Sequence, residues 1–525
     1  MKLPIKTTIG VIAMAGLLNT DLNAENKDRK VFAHYMTCFT AQPEFYKREI
    51  MLAQHYGIDG FALNCGEWFK PVEGKKPVAT RYVGNADNIF EQAKQLNTGF
   101  KLFMSPDFAG RKNEIWAMLN VTSMFTRYVK HPNLFHYRGK PFFSGWAGFP
   151  EQYAPPINKL RKEGYDFLLV PKVSKPKYKM AYSMETVLNI FKGKGKNLLD
   201  GFFYFSCDGT VREILSNNAI CRRATLFDDK IFMAGVCPAY NSPNLRDFRG
   251  VAGYCSMWQG LINDGADLVE IVTWNDYNED SNLMPYRWRS GFGNKPLQKA
   301  YYNRDESYLD VTSYFIKYYK SELAPEITQD RIYFTYRSRS KNQVKVWNEQ
   351  TGKWADIRFD KHPYDQVHDD IKDCIYVTGF LTDSAELEVS IGGETAKFKL
   401  DKGISNCELP ARPGVPRFKL TRKGKALIDV YGRKTIIDKI TKENSEKGYH
   451  LANRTWTTGA VAGKPVISLD GKNSLVDKKA NLILPLPKIK TGTYNFRVTY
   501  SNNTGKETRL TMYCDGAPGA TGAQP

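Results

Sequence analysis

Asp276 and Glu279 stand three residues apart where an apolar run, Leu268–Trp274, gives way to Asn275-Asp276-Tyr277-Asn278-Glu279-Asp280. Two carboxylates on a loop leaving a buried strand can enter one cleft from different depths. Hydrolysis of a glycosidic bond needs such a pair. One protonated acid releases the leaving oxygen, and one carboxylate drives water or attacks the sugar. Trp274 and Tyr277 offer ring faces on which a sugar can stack, and Asn275 adds a polar contact between them. The same residues also suit a plain turn, with Asp276 as its cap and Glu279 and Asp280 solvated.

Further candidates stand at the ends of other apolar runs. His34 and Asn64 carry groups that hydrogen-bond hydroxyls, although a structural histidine fits His34 equally. Asp107 suits sugar binding or a rival base, with a turn residue after Pro106 as the alternative. Trp146, Tyr204 and Tyr240 read as stacking platforms or as packing. Glu67 and Trp68 fit a subsite, but an ordinary loop explains them better. Lys172 and Asp208 favour neither reading.

These residues need a scaffold that gathers strand ends. Eight apolar runs alternate with helix-like segments between Lys30 and Ala324. They are Val31–Met36, Gly60–Asn64, Lys101–Met104, Pro141–Gly145, Phe167–Pro171, Gly201–Phe205, Ile231–Val236 and Leu268–Trp274. Helical segments include Glu44–His55, Ala86–Gln95, Asn113–Val129 and Arg249–Asn263. Continuous rather than alternating apolar runs mark parallel strands covered on both faces. Eight strand–helix repeats predict an α/β fold, a (β/α)8 TIM barrel, whose chemistry sits at the C-terminal strand ends. An open doubly wound sheet usually has fewer strands and opens with a Gly-rich phosphate loop, absent here.

The run Ala266–Glu279, which ends Thr273-Trp274-Asn275-Asp276-Tyr277-Asn278-Glu279, resembles the strand-eight signature of glycoside hydrolase family 71, the α-1,3-glucanases or mutanases. Val31–Met36, Gly57–Asn64, Phe100–Asp107 and Met233–Val236 resemble the family in the same order, so the likeness spans about residues 30–320. It implies hydrolysis of α-1,3-glucosidic bonds with inversion, without metal or organic cofactor. Asp276 and Glu279 then match its catalytic carboxylates; Glu279 is assigned as general acid and Asp276 as general base, with the reverse order open. Inversion leaves room for a water, with carboxyl groups ~6.5–9.5 Å apart. Pro106 replaces a bulky family residue and Asn278 a glycine, and the ends of strands six and seven also differ, so the subsite walls have changed. A glucan-binding barrel without catalysis and a hydrolase of another polysaccharide stay open as alternatives.

The rest of the chain frames this barrel. Lys2 and Lys6, the apolar run Ile9–Leu18 and Leu22-Asn23-Ala24 read as a secretory signal peptide over 1–24, implying a secreted protein. No run is long and apolar enough to predict a membrane span. The barrel is expected over 25–324 and a β-sandwich accessory domain over 325–440. A second small β module, with Trp456 as a candidate carbohydrate contact, is expected over 441–525, ending in a flexible Gly-Ala-Pro tail. Short alternating runs such as Arg331–Tyr336, Val344–Trp347, Cys374–Thr378, Leu387–Ile391 and Thr395–Leu400 carry that expectation, as do Ala426–Tyr431, Asn481–Leu484, Thr493–Tyr500 and Arg509–Cys514.

The 525 residues carry a net charge of +20, with 13% aromatic residues. Positive charge concentrates in 411–490, with 18 basic against 6 acidic residues. It comes without a basic helix, zinc-finger spacing or an RNA-binding signature, so nucleic acid is not an expected partner. A polysaccharide is. The 9 cysteines lack Cys-x-x-Cys spacing and read mainly as small buried residues. The aromatic surplus suits a sugar-lined mouth.

Overall fold

The computed structural model describes residues 28–109, 113–173, 183–207, 209–240, 247–277, 279, 281–284, 307–337, 340, 345–348, 351–356, 372–432, 435–439, 441, 456–457 and 461–462. The chain divides into two units, Met1–Val466 and Ile467–Pro525, and every described residue lies in the first. The expected signal peptide, Asp208, Cys514 and the strands expected beyond residue 480 lie outside the described residues.

The first part alternates strands and helices in the order β1 (Lys30–Met36), α1 (Pro43–His55), β2 (Gly60–Cys65), β3 (Phe69–Val72), β4 (Lys75–Ala79) and α2 (Arg81–Leu96). It continues with β5 (Lys101–Pro106), α3 (Glu114–Tyr128), β6 (His136–Tyr137), β7 (Lys140–Phe143), α4 (Pro150–Lys162), β8 (Leu168–Leu169) and α5 (Met184–Lys192). It ends with β9 (Gly201–Phe203), α6 (Val211–Phe227), β10 (Ile231–Val236), α7 (Gly250–Asn263), β11 (Leu268–Ile271) and α8 (Ser307–Ser321). All of β2 and β10 is buried, as continuous apolar runs require. Helix starts are chemically marked. Thr80 Oγ1 accepts from Tyr82 N at 3.2 Å, Asn113 Oδ1 accepts from Trp116 N at 2.8 Å, and Thr210 and Glu213 form a reciprocal capping box.

Six strands form one parallel sheet in the order β5-β2-β1-β11-β10-β9. Its two edges are linked through short segments. Ser144 N donates to Met104 O at 3.1 Å and Trp146 N to Pro106 O at 2.9 Å. β7 pairs with β8 in parallel, and Lys172 N donates to Gly145 O at 2.8 Å. Asp200 N reaches Leu169 O at 2.9 Å and Phe203 N reaches Pro171 O at 3.0 Å, which leads back to β9. Backbone hydrogen bonds thus carry the sheet round into a barrel-like body. Because the strands run parallel, their C-terminal ends share one rim. Gly235 permits a close approach there, since a Cβ on it would lie 2.2 Å from Tyr204 O. The exposed β3–β4 hairpin rises from the same rim after β2, where only a loop was expected.

Among the described cysteines, Cys65, Cys207, Cys221, Cys237 and Cys255 are buried among apolar residues while Cys38, Cys374 and Cys407 are half-buried, and burial pushes the Cys65 thiol up to about 12. No described helix is long and apolar enough to cross a membrane.

The second part is antiparallel. Its strands are β12 (Arg331–Arg337), β13 (Lys345–Asn348), β14 (Lys353–Asp356), β15 (Cys374–Leu381), β16 (Ala385–Ile391) and β17 (Glu394–Leu400). Then come β18 (Gly403–Pro410), β19 (Arg417–Arg422), β20 (Lys425–Tyr431), β21 (Trp456–Thr457) and β22 (Val461–Ala462). One sheet runs β18-β15-β12-β21, with β22 also on β12, and the other runs β17-β16-β19-β20. Ile332, Phe334 and Val377 of the first share one apolar cluster with Leu387, Val389 and Phe418 of the second. β21 and β22, which fall within the range where a second module is expected, pair with β12. This part packs on α7. Asp247, just before that helix, accepts from Tyr376 Oη at 2.7 Å and Arg337 Nη1 at 3.3 Å.

Candidate active site

β11 ends at Ile271, three residues short of the predicted strand end. The Val272–Thr273 peptide is cis, and the chain then folds into a tight loop. Thr273 N donates to Ser281 O at 2.9 Å, and Leu283 N returns to Thr273 O at 2.8 Å. Within this loop Asp276 N donates to Thr273 Oγ1 at 2.9 Å, and Glu279 N donates to Asp276 Oδ1 at 3.3 Å. Asp276 is therefore both the cap of the turn and a neighbour of Glu279. Asp276 is buried and Glu279 half-buried.

Strand one is fastened to this exit. Trp274 N donates to His34 O at 2.7 Å. Asn275 Oδ1 accepts from Met36 N at 2.7 Å, and its amide returns to Met36 O at 3.3 Å. Asn275 thus stitches the ends of β1 and β11, and both functional ends of its amide are engaged with backbone. Its expected role as a sugar contact is corrected to that of a seam.

From β1 a chain of contacts follows the rim. Met36 registers with Asn64 on β2, and Asn64 Nδ2 donates to Asp107 Oδ2 at 3.4 Å. Asp107 bridges to Trp146, and the Lys172 ammonium lies 4.3 Å from the Trp146 ring centroid. Lys172 lies 5.0 Å from the Phe205 ring, Phe205 meets Trp146 at 5.7 Å, and His34 stands edge-on to Phe205 at 5.2 Å. The expected candidates His34, Asn64, Asp107 and Trp146 are thereby brought together on the rim that holds Asp276 and Glu279. Trp146 is half-buried, leaving part of its surface open. Tyr240, after β10, is half-buried against the core.

Three expected stacking platforms do not face this mouth. Trp274 is fully buried and packs against Phe61, with centroids 5.1 Å apart. Phe61 in turn packs on Tyr35, whose hydroxyl bonds Glu49 of α1, so this face lies between strands and helix. Tyr277 is fully buried, its hydroxyl 3.2 Å from Met284 Sδ. Tyr204 is 1% exposed and accepts from Asn217 Nδ2 at 3.1 Å. With no open face, none of the three rings can take a sugar. The physical reason is apolar area, which large rings bury wherever a helix or loop covers them. Trp68 is likewise buried, while Glu67 is a partly exposed loop residue near Lys70.

Two residues missed as candidates join the mouth. Phe205 links His34 to Trp146. Glu270, on β11, is fully buried, with Oε1 2.6 Å from His34 Nδ1. Burial raises its carboxyl above the ordinary range, and the bond to His34 opposes that shift. The available signal was a lone acid inside an apolar strand.

The arrangement supplies carboxylates, a histidine, an amide and aromatic surface at one strand-end rim, the equipment of sugar hydrolysis. The family described as "Glycosyl hydrolase family 71" matches residues 27–457. "Glucan endo-1,3-alpha-glucosidase agn1" of Schizosaccharomyces pombe is 23% identical over 444 residues, covering 83% of this chain and 97% of that protein. "Mutanase Pc12g07500" of Penicillium rubens is 24% identical over 483 residues, covering 87% and 98% respectively. Among solved structures, the GH99 endo-alpha-mannosidase from Bacteroides thetaiotaomicron aligns with a TM-score of 0.42 at 14% identity, covering 55% of this chain and 97% of that one.

Proposed function

Because the chain belongs to glycosyl hydrolase family 71 and is a glycoside hydrolase, we propose that it cleaves α-1,3-glucosidic bonds of α-1,3-glucan with inversion. The observation that carries this reading is the loop after β11, where Asp276 and Glu279 adjoin on the barrel rim. Asp276 is the base. A backbone N–H donated to its Oδ1 is a contact that a carboxylate accepts, and the carboxylate is the form that takes a proton from water. Glu279, more open to solvent, is the acid that protonates the leaving oxygen. Asp107, His34, Asn64 and Trp146 hold the sugar, with Tyr240 at the outer edge. The two antiparallel sheets are read as an accessory β-sandwich, and the protein as secreted. The names of the two relatives, a glucan endo-1,3-alpha-glucosidase and a mutanase, support the choice of glucan.

The test is release of reducing sugar from insoluble α-1,3-glucan by the purified protein. Release from another polysaccharide but not from this glucan would sink the substrate assignment. Binding of the glucan without release would favour a non-catalytic barrel.

A further inference from the structure

Glu270 has no part in the acid–base scheme above, yet it is the deepest carboxylate of the strand-eight region. It is 0% exposed on a strand whose neighbours Leu268, Val269 and Ile271 are apolar. It registers with Phe32 on β1 and Gly235 on β10. Its Oε1 meets His34 Nδ1 at 2.6 Å, whereas Oε2 has no hydrogen-bond partner among the described residues.

Folding gives little reason for this pair. Burying two ionisable groups costs solvation, and apolar residues of similar volume often serve as well or better. A buried oxygen without a partner adds to that cost. The direction of the contact supplies a reason. Glu270 pairs level with Phe32, two residues deeper along β1 than His34. Nδ1 of His34 is therefore turned down the barrel. Nε2 lies across the ring from that contact, on the side away from Glu270; His34 is 1% exposed, so only an edge of the imidazole is open, beside Phe205 and, through it, Trp146 and Lys172. The His34 backbone is tied to Trp274, two residues before Asp276.

We propose that Glu270 is a positioning residue for sugar recognition: by holding Nδ1 of His34 it aims Nε2 at a hydroxyl of the sugar bound beside Asp276 and Glu279. With the Nδ1 proton directed at Glu270, Nε2 is the acceptor of that hydroxyl proton. The proposal rests on the reading of this rim as the sugar site.

The test is a double-variant cycle of Glu270→Gln and His34→Ala. It reads kcat and KM on an α-1,3-linked gluco-oligosaccharide, calorimetric affinity for the same sugar in an Asp276→Asn background, and unfolding midpoints. The expected result for Glu270→Gln is a loss of about 10–100-fold in kcat/KM. Affinity should weaken too, and the unfolding midpoint should not fall. His34→Ala should lose as much, and the double variant no more than His34→Ala alone. Full activity of Glu270→Gln, losses that multiply in the double variant, or a loss that follows a lowered midpoint would each overturn the proposal. If Glu270→Gln does not fold, Glu270→Asp enters the cycle, and wild-type activity there has the same force. Should the wild type bind or cleave only another polysaccharide, the cycle on that sugar still decides the role of Glu270 while the α-1,3 assignment falls. Binding of no sugar overturns both.

Discussion

Two carboxylates bound to cations or histidine, one in each half of the molecule, are treated very differently. Asp330, just before β12, accepts from both Nη atoms of Arg422 at 2.8 Å and from the amide and hydroxyl of Thr382 at 2.8 Å. Both of its oxygens are used. Burial pushes its carboxyl up, but Arg422 and Thr382 outweigh that and hold it below the ordinary value. Glu270 has one contact, to His34, and a second oxygen without a partner among the described residues. The saturated carboxylate sits where the β part needs clamping. The unsaturated one sits under the rim that carries the catalytic candidates. A buried group left short of partners marks a place where stability has been given up for a task.

That contrast predicts changes in activity without loss of stability at the rim, and changes in stability without loss of activity elsewhere. The largest effect belongs to Asp276→Asn and Glu279→Gln. Each should cut turnover ~10³-fold or more while glucan binding and the unfolding midpoint stay near wild type. Near-normal turnover in either variant would remove that residue from the scheme. Trp274→Ala, two residues from Asp276 but facing the helices, should cost about 3–5 kcal/mol of stability through the cavity it leaves. A stable Trp274→Ala protein with weak sugar binding would restore Trp274 as a platform.

Glu270→Gln sharpens the comparison through pH. The folded state holds the Glu270 proton more tightly than the unfolded chain does. This group therefore subtracts stability as pH rises above the unfolded carboxyl value. The unfolding midpoint of Glu270→Gln relative to wild type should rise as pH climbs above the unfolded carboxyl value. A midpoint difference that falls over that range would show Glu270 to be a stabilising group like Asp330. The smallest effect is that of Asp330→Asn. Its folded value is depressed, so its contribution is present above the unfolded value and fades as pH falls through the folded one. The expected cost is ~1–2 kcal/mol near neutral pH, reduced by solvent screening at a partly exposed site, with activity unchanged. Denaturant midpoints at two pH values would measure it.

The sequence made the barrel strands legible because continuous apolar runs survive at all eight positions, even where β8 and β9 are only two and three residues long. The β3–β4 hairpin was invisible, since Phe69–Ala79 is largely exposed and interrupted by Pro71 and Pro77. β18 and β19 escaped for a related reason. Gly403–Pro410 buries little, and Arg417–Arg422 presents only Phe418 and Leu420 to the core. At the site, residue types indicated which groups suit sugar chemistry but not which way they point. Alternation continued past Ile271 would put Trp274 on the same face as Glu270. The strand ends there, and the ring packs against Phe61 instead.

The most direct test of the account is proton NMR of the first products released from α-1,3-glucan by wild type and by Asp276→Asn. The account predicts β-anomeric reducing ends from the wild type, the mark of inversion, and almost none from the variant. Products that appear first as α-anomers, or equal release by both proteins, would contradict it.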